Sequence, residues 1–391
     1  MEGHVILDAT LEVRWVHRFR VTRKIFNPSN PVFIDALGPI ENGSHRLLFV
    51  IDRGVSDAWP DLTNDIRRYE TSSDDRMMLA GEPLIIPGGE HCKNNTESLD
   101  AIVQGINERR ICRQSFVVAI GGGAVLDVAG FAAATVHRGV RLIRIPTTTL
   151  AQADSGVGVK NGINALGKKN LLGTFSPPWA VINDEHFLET LTDRDWRSGF
   201  CECVKVALVK DAAFLDRIEA NIPLLNQRNL EAASSIIRRS AELHLEHIVS
   251  GGDPFELTAA RPLDFGHWAA HKLEQMTNFR LTHGEAVAIG MAIDITYSMQ
   301  TGLLPETIGE RILNILEKLG FQLHDEALRA TDHLFEGLEE FREHLGGRLT
   351  IPMIRDIGEQ IDIHEIDFTA LKQAISQLVS RQDPALSSRT R

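Results

Sequence analysis

The stretch SFVVAIGGGAVLDVAGF, residues 115–131, decides the fold. Residues 115–123 read as a strand running into a glycine turn, and a helix follows from about Ala124 to His137. Gly121, Gly122 and Gly123 let the backbone approach a pyrophosphate closely, and a helix N-terminus favours its negative charge. The spacing is not the full G-x-G-x-x-G, so a bare strand turn stays open at this point. Asp127 lies one helical turn beyond the glycines, where its carboxylate can point back toward a ligand. The next strand, VRLIRIPTTT at 140–149, ends in Thr147, Thr148 and Thr149, which places hydroxyls at the carboxyl edge of a sheet. The preceding one, HRLLFVID at 45–52, ends in Asp52, an acid suited to a ribose or simply to a turn.

Between these lie a strand at 81–90 and a helix at 96–109 capped by Thr96. This alternation predicts an open, largely parallel, Rossmann-like α/β sheet. Residues 1–45 read as an extended segment, with strand-like alternation in LEVRWVHRFRV and a turn cluster at 27–31. After about residue 185 helical periodicity dominates, at 194–210, 229–249, 262–276, 283–301, 305–319 and 365–380. The expected division is an α/β domain over 1–185 and an all-α domain over 186–391, with the active site in the cleft between them.

Composition narrows the function. Of the 391 residues, 43% are apolar, enough for a substantial core, and the net charge is −12. Such an acidic chain is a poor partner for nucleic acid or an anionic membrane, although a local basic pocket still suits an anionic small molecule. No uninterrupted apolar run reaches about 18 residues, and the N-terminus has no signal-peptide core. Cys92, Cys112, Cys201 and Cys203 form no metal or redox motif and read as reduced thiols of a cytoplasmic protein.

Three helical segments carry candidate metal ligands. Glu202 and Lys205 share a face of an otherwise apolar helix, where charges are costly unless paired or functional. His267 and His271 share a face in DFGHWAAHKLE at 264–274, and His283 opens a long apolar helix. Glu202, His267 and His283 together suit Zn²⁺ with open positions. The glycine-rich stretch 154–173 carries Lys160, Asn164, Lys168, Lys169 and Asn170, which suit a phosphate and sugar hydroxyls or else a solvated loop. Arg138 is a further phosphate candidate.

Together these stretches resemble the 3-dehydroquinate synthase family of sugar-phosphate cyclases over roughly residues 45–325. The matching motifs are GGE-x-x-K at 88–93, GGGAVLDVAGF at 121–131, HRGVRLIRIPTTTLAQADSGVGVKNGIN at 137–164 and GKKNLLGTFSPP at 167–178. FLETL at 187–191, E-x-x-K at 202–205, FGHWAAH at 265–271 and HGEAVAIGM at 283–291 complete the set. The resemblance implies NAD at Asp52, Glu90, Lys93, Gly122, Gly123, Asp127, Thr147, Thr148, Lys169, Phe187 and Thr190. It implies Zn²⁺, or Co²⁺ in its place, at Glu202, His267 and His283. Catalytic contacts to the substrate fall to Asp154, Lys160, Lys205 and His271, and binding contacts to Asn170 and Arg261. A homodimer is implied, with Arg138 reaching a phosphate across the interface. The implied chemistry is transient oxidation of a secondary alcohol by NAD⁺, β-elimination of phosphate, return of the hydride, and aldol closure of the ring.

The sequence departs from the family at substrate groups. The family's lysine before the histidine motif is missing, and His244 and His247 stand nearest to it. RPLDFGH at 261–267 is one residue short and carries Asp264 where the family has asparagine. An acid there is a poor neighbour for a carboxylate and a good acceptor from a hydroxyl, so Asp264 joins the substrate-binding set. The C-terminal lysine motif is also missing, with Arg342, His344 and Arg348 as substitutes. These changes predict a sister cyclase acting on a seven-carbon sugar phosphate without a carboxylate, such as sedoheptulose 7-phosphate. The alternatives are 3-dehydroquinate synthase itself, a metal-dependent polyol or alcohol dehydrogenase, which shares the fold, and a non-catalytic scaffold.

Overall fold

The structure is a computed structural model that describes residues 8–40, 43–251, 254–256, 261–344 and 347–382. It begins with β1 (Arg18–Thr22), α1 (Val32–Leu37), β2 (His45–Asp52), α2 (Arg53–Ala58), α3 (Leu62–Thr71), β3 (Met77–Leu79) and β4 (Leu84–Ile86). There follow α4 (Glu97–Glu108), β5 (Phe116–Gly121), α5 (Gly123–Thr135), β6 (Arg141–Pro146), β7 (Lys160–Ala165), β8 (Lys168–Phe175) and β9 (Ala180–Asp184). One sheet runs β1-β9-β6-β5-β2-β3, with β4 also paired to β2, and every pairing in it is parallel.

The strands read as continuous apolar runs because both faces of the sheet are covered. Leu47, Phe49 and Ile51 join Phe116, Val118 and Ile120 in one core, while Leu48, Val50, Val117 and Ala119 belong to the core on the opposite face. From β2 the chain adds β3 and β4 on one side, then crosses to β5 on the other. Such a reversal opens a crevice at the carboxyl ends of the strands, here at Asp52 and Gly121.

The second part is built from α6 (Asp193–Lys210), α7 (Ala212–Asn226), α8 (Leu230–Ser250), α9 (His267–Met276), α10 (His283–Gln300), α11 (Glu306–Lys318) and α12 (Thr331–His344). It ends with β10 (Ile351–Asp356), β11 (Glu359–Ile363) and α13 (Phe368–Gln382). These helices share one large core. No helix among the described residues is long and apolar enough to cross a membrane.

Several expectations need correction. The helical part also contains an antiparallel hairpin, β10–β11, whose Ile351, Met353 and Ile354 are buried in the helical core. Two further helices, α7 and α12, are present. Asp211 ends α6 and accepts from Phe214 N at 3.0 Å, so a second helix starts without a loop. The glycine-rich stretch 154–173 is mostly an antiparallel hairpin, β7–β8, and not a loop. Its start is pinned by Arg144, fully buried in β6, which donates to the carbonyls of Gly156, Gly158 and Lys160. At the other end of the chain, Arg18–Thr22 is the only strand among the described residues before β2, and Thr96 precedes α4 without a side-chain capping bond.

One glycine sets how closely the two parts approach. A Cβ on Gly199 would lie 2.3 Å from the Thr149 carbonyl carbon. Without it, α6 rests directly on the threonine turn after β6, and the Thr149 hydroxyl accepts from Gly199 N at 3.1 Å and donates to Asp195 O at 2.8 Å.

Candidate active site

A cleft of about 1510 Å³ lies between the carboxyl edge of the sheet and the helices. All the residues implied for cofactor, metal and substrate line it except two. Glu202 is fully buried behind the wall. Arg138 is exposed outside the cleft, in the turn after α5.

The three candidate metal ligands come together. Glu202 Oε1 is 3.3 Å from His283 Nε2 and 3.7 Å from His267 Nε2, and one donor atom from each residue falls within 4.8 Å of the others. His267 and His283 are the first residues of α9 and α10, and Glu202 sits in the middle of α6. Lys205, one turn along, reaches Glu202 Oε2 at 2.5 Å and Asp154 Oδ2 at 3.9 Å. Burial would raise the Glu202 carboxyl, but Lys205 and His283 outweigh it and hold the group below the usual carboxylate range. Although these cations are close, neither Glu202 oxygen makes a well-aligned hydrogen bond among the described residues. Buried lone pairs left in that state are costly, and a divalent ion bound by one carboxylate and two imidazoles would fill them.

Burial, with Lys205 beside it, keeps His267 well below its ordinary pKa and so neutral, the form that binds metals. Its Nδ1 is 3.1 Å from Phe265 O, which leaves Nε2 for the ion. His283 differs. Burial lowers it, but Glu274 and Glu202 together raise it to about 9. The close crossing of α9 and α10 depends on glycine, since a Cβ on Gly290 would lie 2.0 Å from Gly266 O. Asp294 of α10 accepts from the Gly266 backbone N at 2.9 Å and from the Trp268 side-chain Nε1 at 2.8 Å, holding the residues on both sides of His267.

On the cofactor side, the turn Gly121–Gly123 opens α5 toward the cleft, and Asp52 accepts from Gly54 N at 2.8 Å. A Cβ on Gly88 would lie 2.3 Å from Asp52 Oδ1, so the Asp52 carboxylate fills the space that a side chain at 88 would take. Lys93 is buried and bound to Asp127 at 2.7 Å. Burial alone would lower it, but Asp127 and Glu90 keep it charged. Its ammonium also meets Asn170, while Asn164 donates to Glu90 at 3.0 Å. Lys169 is bound to both oxygens of Glu274 at 2.6 and 2.7 Å.

The substrate end is more acidic than the sequence suggested. Lys160 meets Glu256 at 2.6 Å, and Arg261 lies 3.5 Å from the same carboxylate. His244 Nδ1 is 2.6 Å from Asp154 Oδ1. Burial raises the Asp264 carboxyl, and Lys160 and Arg261 only partly offset it. Two of the three substitutes proposed for the C-terminal lysine stand away from the cleft. Arg342 turns to Glu339 on its own helix, Arg348 is exposed, and neither lines the cleft. The His344 side chain lies outside the described residues.

Sequence reasoning missed Glu256, Glu274 and Asp294. Glu274 had a signal, since His267, His271 and Glu274 fall at i, i+4 and i+7 on one helix face. Asp294 is the lone acid in an apolar run. Glu256 had none, because it is brought to Lys160 only by tertiary folding.

Comparison with known proteins agrees with this geometry. The family models described as 3-dehydroquinate synthase N-terminal and C-terminal match residues 83–198 and 199–339. The 3-dehydroquinate synthase of Halorhodospira halophila is 34% identical over 312 residues, 77% of this chain and 87% of that protein. That of Cereibacter sphaeroides is 38% identical over 286 residues, 72% of this chain and 76% of its own length. Among solved structures, 2-epi-5-epi-valiolone synthase of Streptomyces hygroscopicus, with NAD⁺ and Zn²⁺ bound, superposes with TM-score 0.86 at 29% identity, covering 96% of this chain and all of that one. A 2-deoxy-scyllo-inosose synthase, at 22% identity and TM-score 0.74, shares the fold over 92% of this chain and 96% of its own. The chain belongs to the 3-dehydroquinate synthase family, and its fold is that family's α/β domain followed by a helical domain.

Proposed function

We propose that this chain is an NAD- and divalent-metal-dependent sugar-phosphate cyclase that eliminates phosphate from a seven-carbon keto-sugar phosphate and closes a carbocycle. The observation that carries the reading is the meeting of Glu202, His267 and His283 in the same cleft as the glycine turn at 121–123. When bound, NAD would take up and return a hydride, and Zn²⁺ or Co²⁺ would draw charge from a sugar oxygen.

The chain's own residues bind and orient. The N-terminus of α5 with Gly122 and Gly123 offers a pyrophosphate site, and Asp52 offers a ribose acceptor. Asp127, Thr147, Thr148, Phe187 and Thr190 complete the cofactor wall, with Glu90, Lys93 and Lys169. Lys205 keeps Glu202 and Asp154 ionised. Burial, with Lys169 nearby, holds His271 well below its ordinary pKa, so it faces the substrate neutral and able to accept a proton. Lys160, Asn170 and Arg261 face the sugar phosphate. Arg138 reaches the phosphate of a second copy in a homodimer, which its exposed position outside its own cleft supports.

The finer reading is a substrate without a carboxylate, of the sedoheptulose 7-phosphate type. Its support is the acidic substrate end. Glu256 already neutralises Lys160 and approaches Arg261, and Asp264 adds a second acid, so an incoming carboxylate would meet like charge. The overall likeness to a 2-epi-5-epi-valiolone synthase points the same way. The names of the 34–38% identical relatives favour a second reading, 3-dehydroquinate synthase, whose substrate carries a carboxylate. Incubation with NAD⁺, Co²⁺ and each sugar phosphate in turn, with released phosphate and cyclised product followed together, separates the two. Net NADH accumulation without phosphate release would indicate a dehydrogenase and overturn both.

A further inference from the structure

His283 meets a carboxylate at each ring nitrogen. Its Nε2 is 3.3 Å from Glu202 Oε1, and its Nδ1 is 3.3 Å from Glu274 Oε2. Glu274 stands on α9 two turns beyond His267, and its side chain is only 4% exposed. Both its oxygens are held by the Lys169 ammonium at 2.6 and 2.7 Å. Lys169 projects from β8 on the sheet side of the cleft. One buried carboxylate therefore touches the back of a candidate metal ligand and a cation carried by the opposite wall.

We propose that Glu274 is a positioning residue, which accepts the Nδ1–H of His283 so that the Nε2 lone pair faces the ion, and which ties that ring to the cofactor wall through Lys169. The inference rests on the metal reading given above. A neutral imidazole offers its lone pair at only one nitrogen, and the hydrogen bond at the other nitrogen decides which. For His267 the Phe265 carbonyl plays that part. His283 is the first residue of its helix, and Glu274 is the acceptor found at its Nδ1. The helices reciprocate. α9 carries the ligand His267 and the carboxylate behind His283, while α10 carries His283 and Asp294, which clasps Gly266 and Trp268 around His267. A donor atom each from His271, Glu274 and His283 also falls within 4.8 Å of the others, but Lys169 occupies both Glu274 oxygens, and a second ion there would have to displace it.

The test is Co²⁺ binding by the metal-stripped full chain, read by competition with a chromophoric chelator and by the visible spectrum of bound Co²⁺. Glu274→Gln removes the charge at constant shape. It should weaken Co²⁺ binding by about 10–100-fold and shift the spectrum, as loss of an outer carboxylate does elsewhere. Lys169→Met leaves the carboxylate on His283 and should cost less affinity. All forms should bind one ion per chain. Wild-type affinity in E274Q, or equal losses in E274Q and K169M, would reduce the pair to an interdomain clamp and overturn the proposal. Two ions per wild-type chain, falling to one in E274Q, would make Glu274 a ligand and overturn it as well. Should E274Q not fold, E274Q/K169M, which leaves no unpaired charge, is compared with K169M instead. Wild-type protein that bound no Co²⁺ would overturn the metal reading and this inference together, whereas wild-type binding unchanged in E274Q overturns the inference alone.

Discussion

At the metal end of the cleft, Glu202, His267 and His283 stand on long helices whose other faces are packed in a single core. At the substrate end, Lys160 opens a hairpin with its side chain 55% exposed, and its partner Glu256 lies outside any helix or strand. The first arrangement holds a fixed constellation, because each ligand is locked by regular backbone and buried neighbours. The second tolerates exchange of side chains at little cost to folding. The same fold can thus keep one chemistry while its substrate changes.

The largest expected effect comes from breaking the metal end. Glu202→Ala should abolish phosphate release and lower stability by about 3–5 kcal/mol, because Lys205 is left buried without its partner. Adding Lys205→Met should restore the unfolding midpoint without restoring turnover. A pair that lost neither would show that this end is not rigid by design.

Gly199→Val should act next, through the distance between the ends. The new side chain meets the Thr149 backbone, so stability should fall by about 1–3 kcal/mol. Turnover should fall about 100-fold if the two walls separate by about 1 Å. Steady-state kinetics beside urea unfolding would check both.

A smaller, pH-dependent effect belongs to Asp294. Burial raises its carboxyl from 3.8 to about 7. The folded protein therefore keeps this proton between those values while the unfolded chain has released it, and stability falls as pH rises through that window. The limit is about 1.4 kcal/mol per pH unit. Asp294→Asn should flatten that slope in urea titrations run from pH 4 to pH 7, and an unchanged slope would show that Asp294 ionises freely.

The mildest change is at the substrate end. Glu256→Gln should leave the fold and Co²⁺ binding intact and improve kcat/KM for a carboxylate-bearing sugar phosphate relative to sedoheptulose 7-phosphate. A shift of about 10-fold corresponds to about 1.4 kcal/mol. No shift would remove the like-charge account of specificity.

Much of the cofactor wall was legible in the chain. β2, β5 and β6 announced themselves as largely apolar runs ending in Asp52, the glycines and the threonines, since a sheet covered on both faces leaves few polar positions inside a strand. The candidate ligands Glu202, His267 and His283 were legible as polar residues on apolar helix faces, where a charge or imidazole needs a reason. The β7–β8 hairpin was not, because its glycine and lysine content reads as loop, and what orders it is the fully buried Arg144 reaching across from β6. The β10–β11 hairpin escaped for a related reason, as its short apolar strand gains its stability from the helical core around it.

Local periodicity, turn chemistry and the cost of burying charge are written in neighbouring residues, so the α/β architecture, most of the helices and a candidate set of metal ligands could be read from the chain. Which carboxylate faces which cation depends on contacts between residues far apart in the chain. Glu274 with Lys169, Glu256 with Lys160 and Asp154 with His244 are decided by how helices and hairpins pack, and only the tertiary structure could pair them.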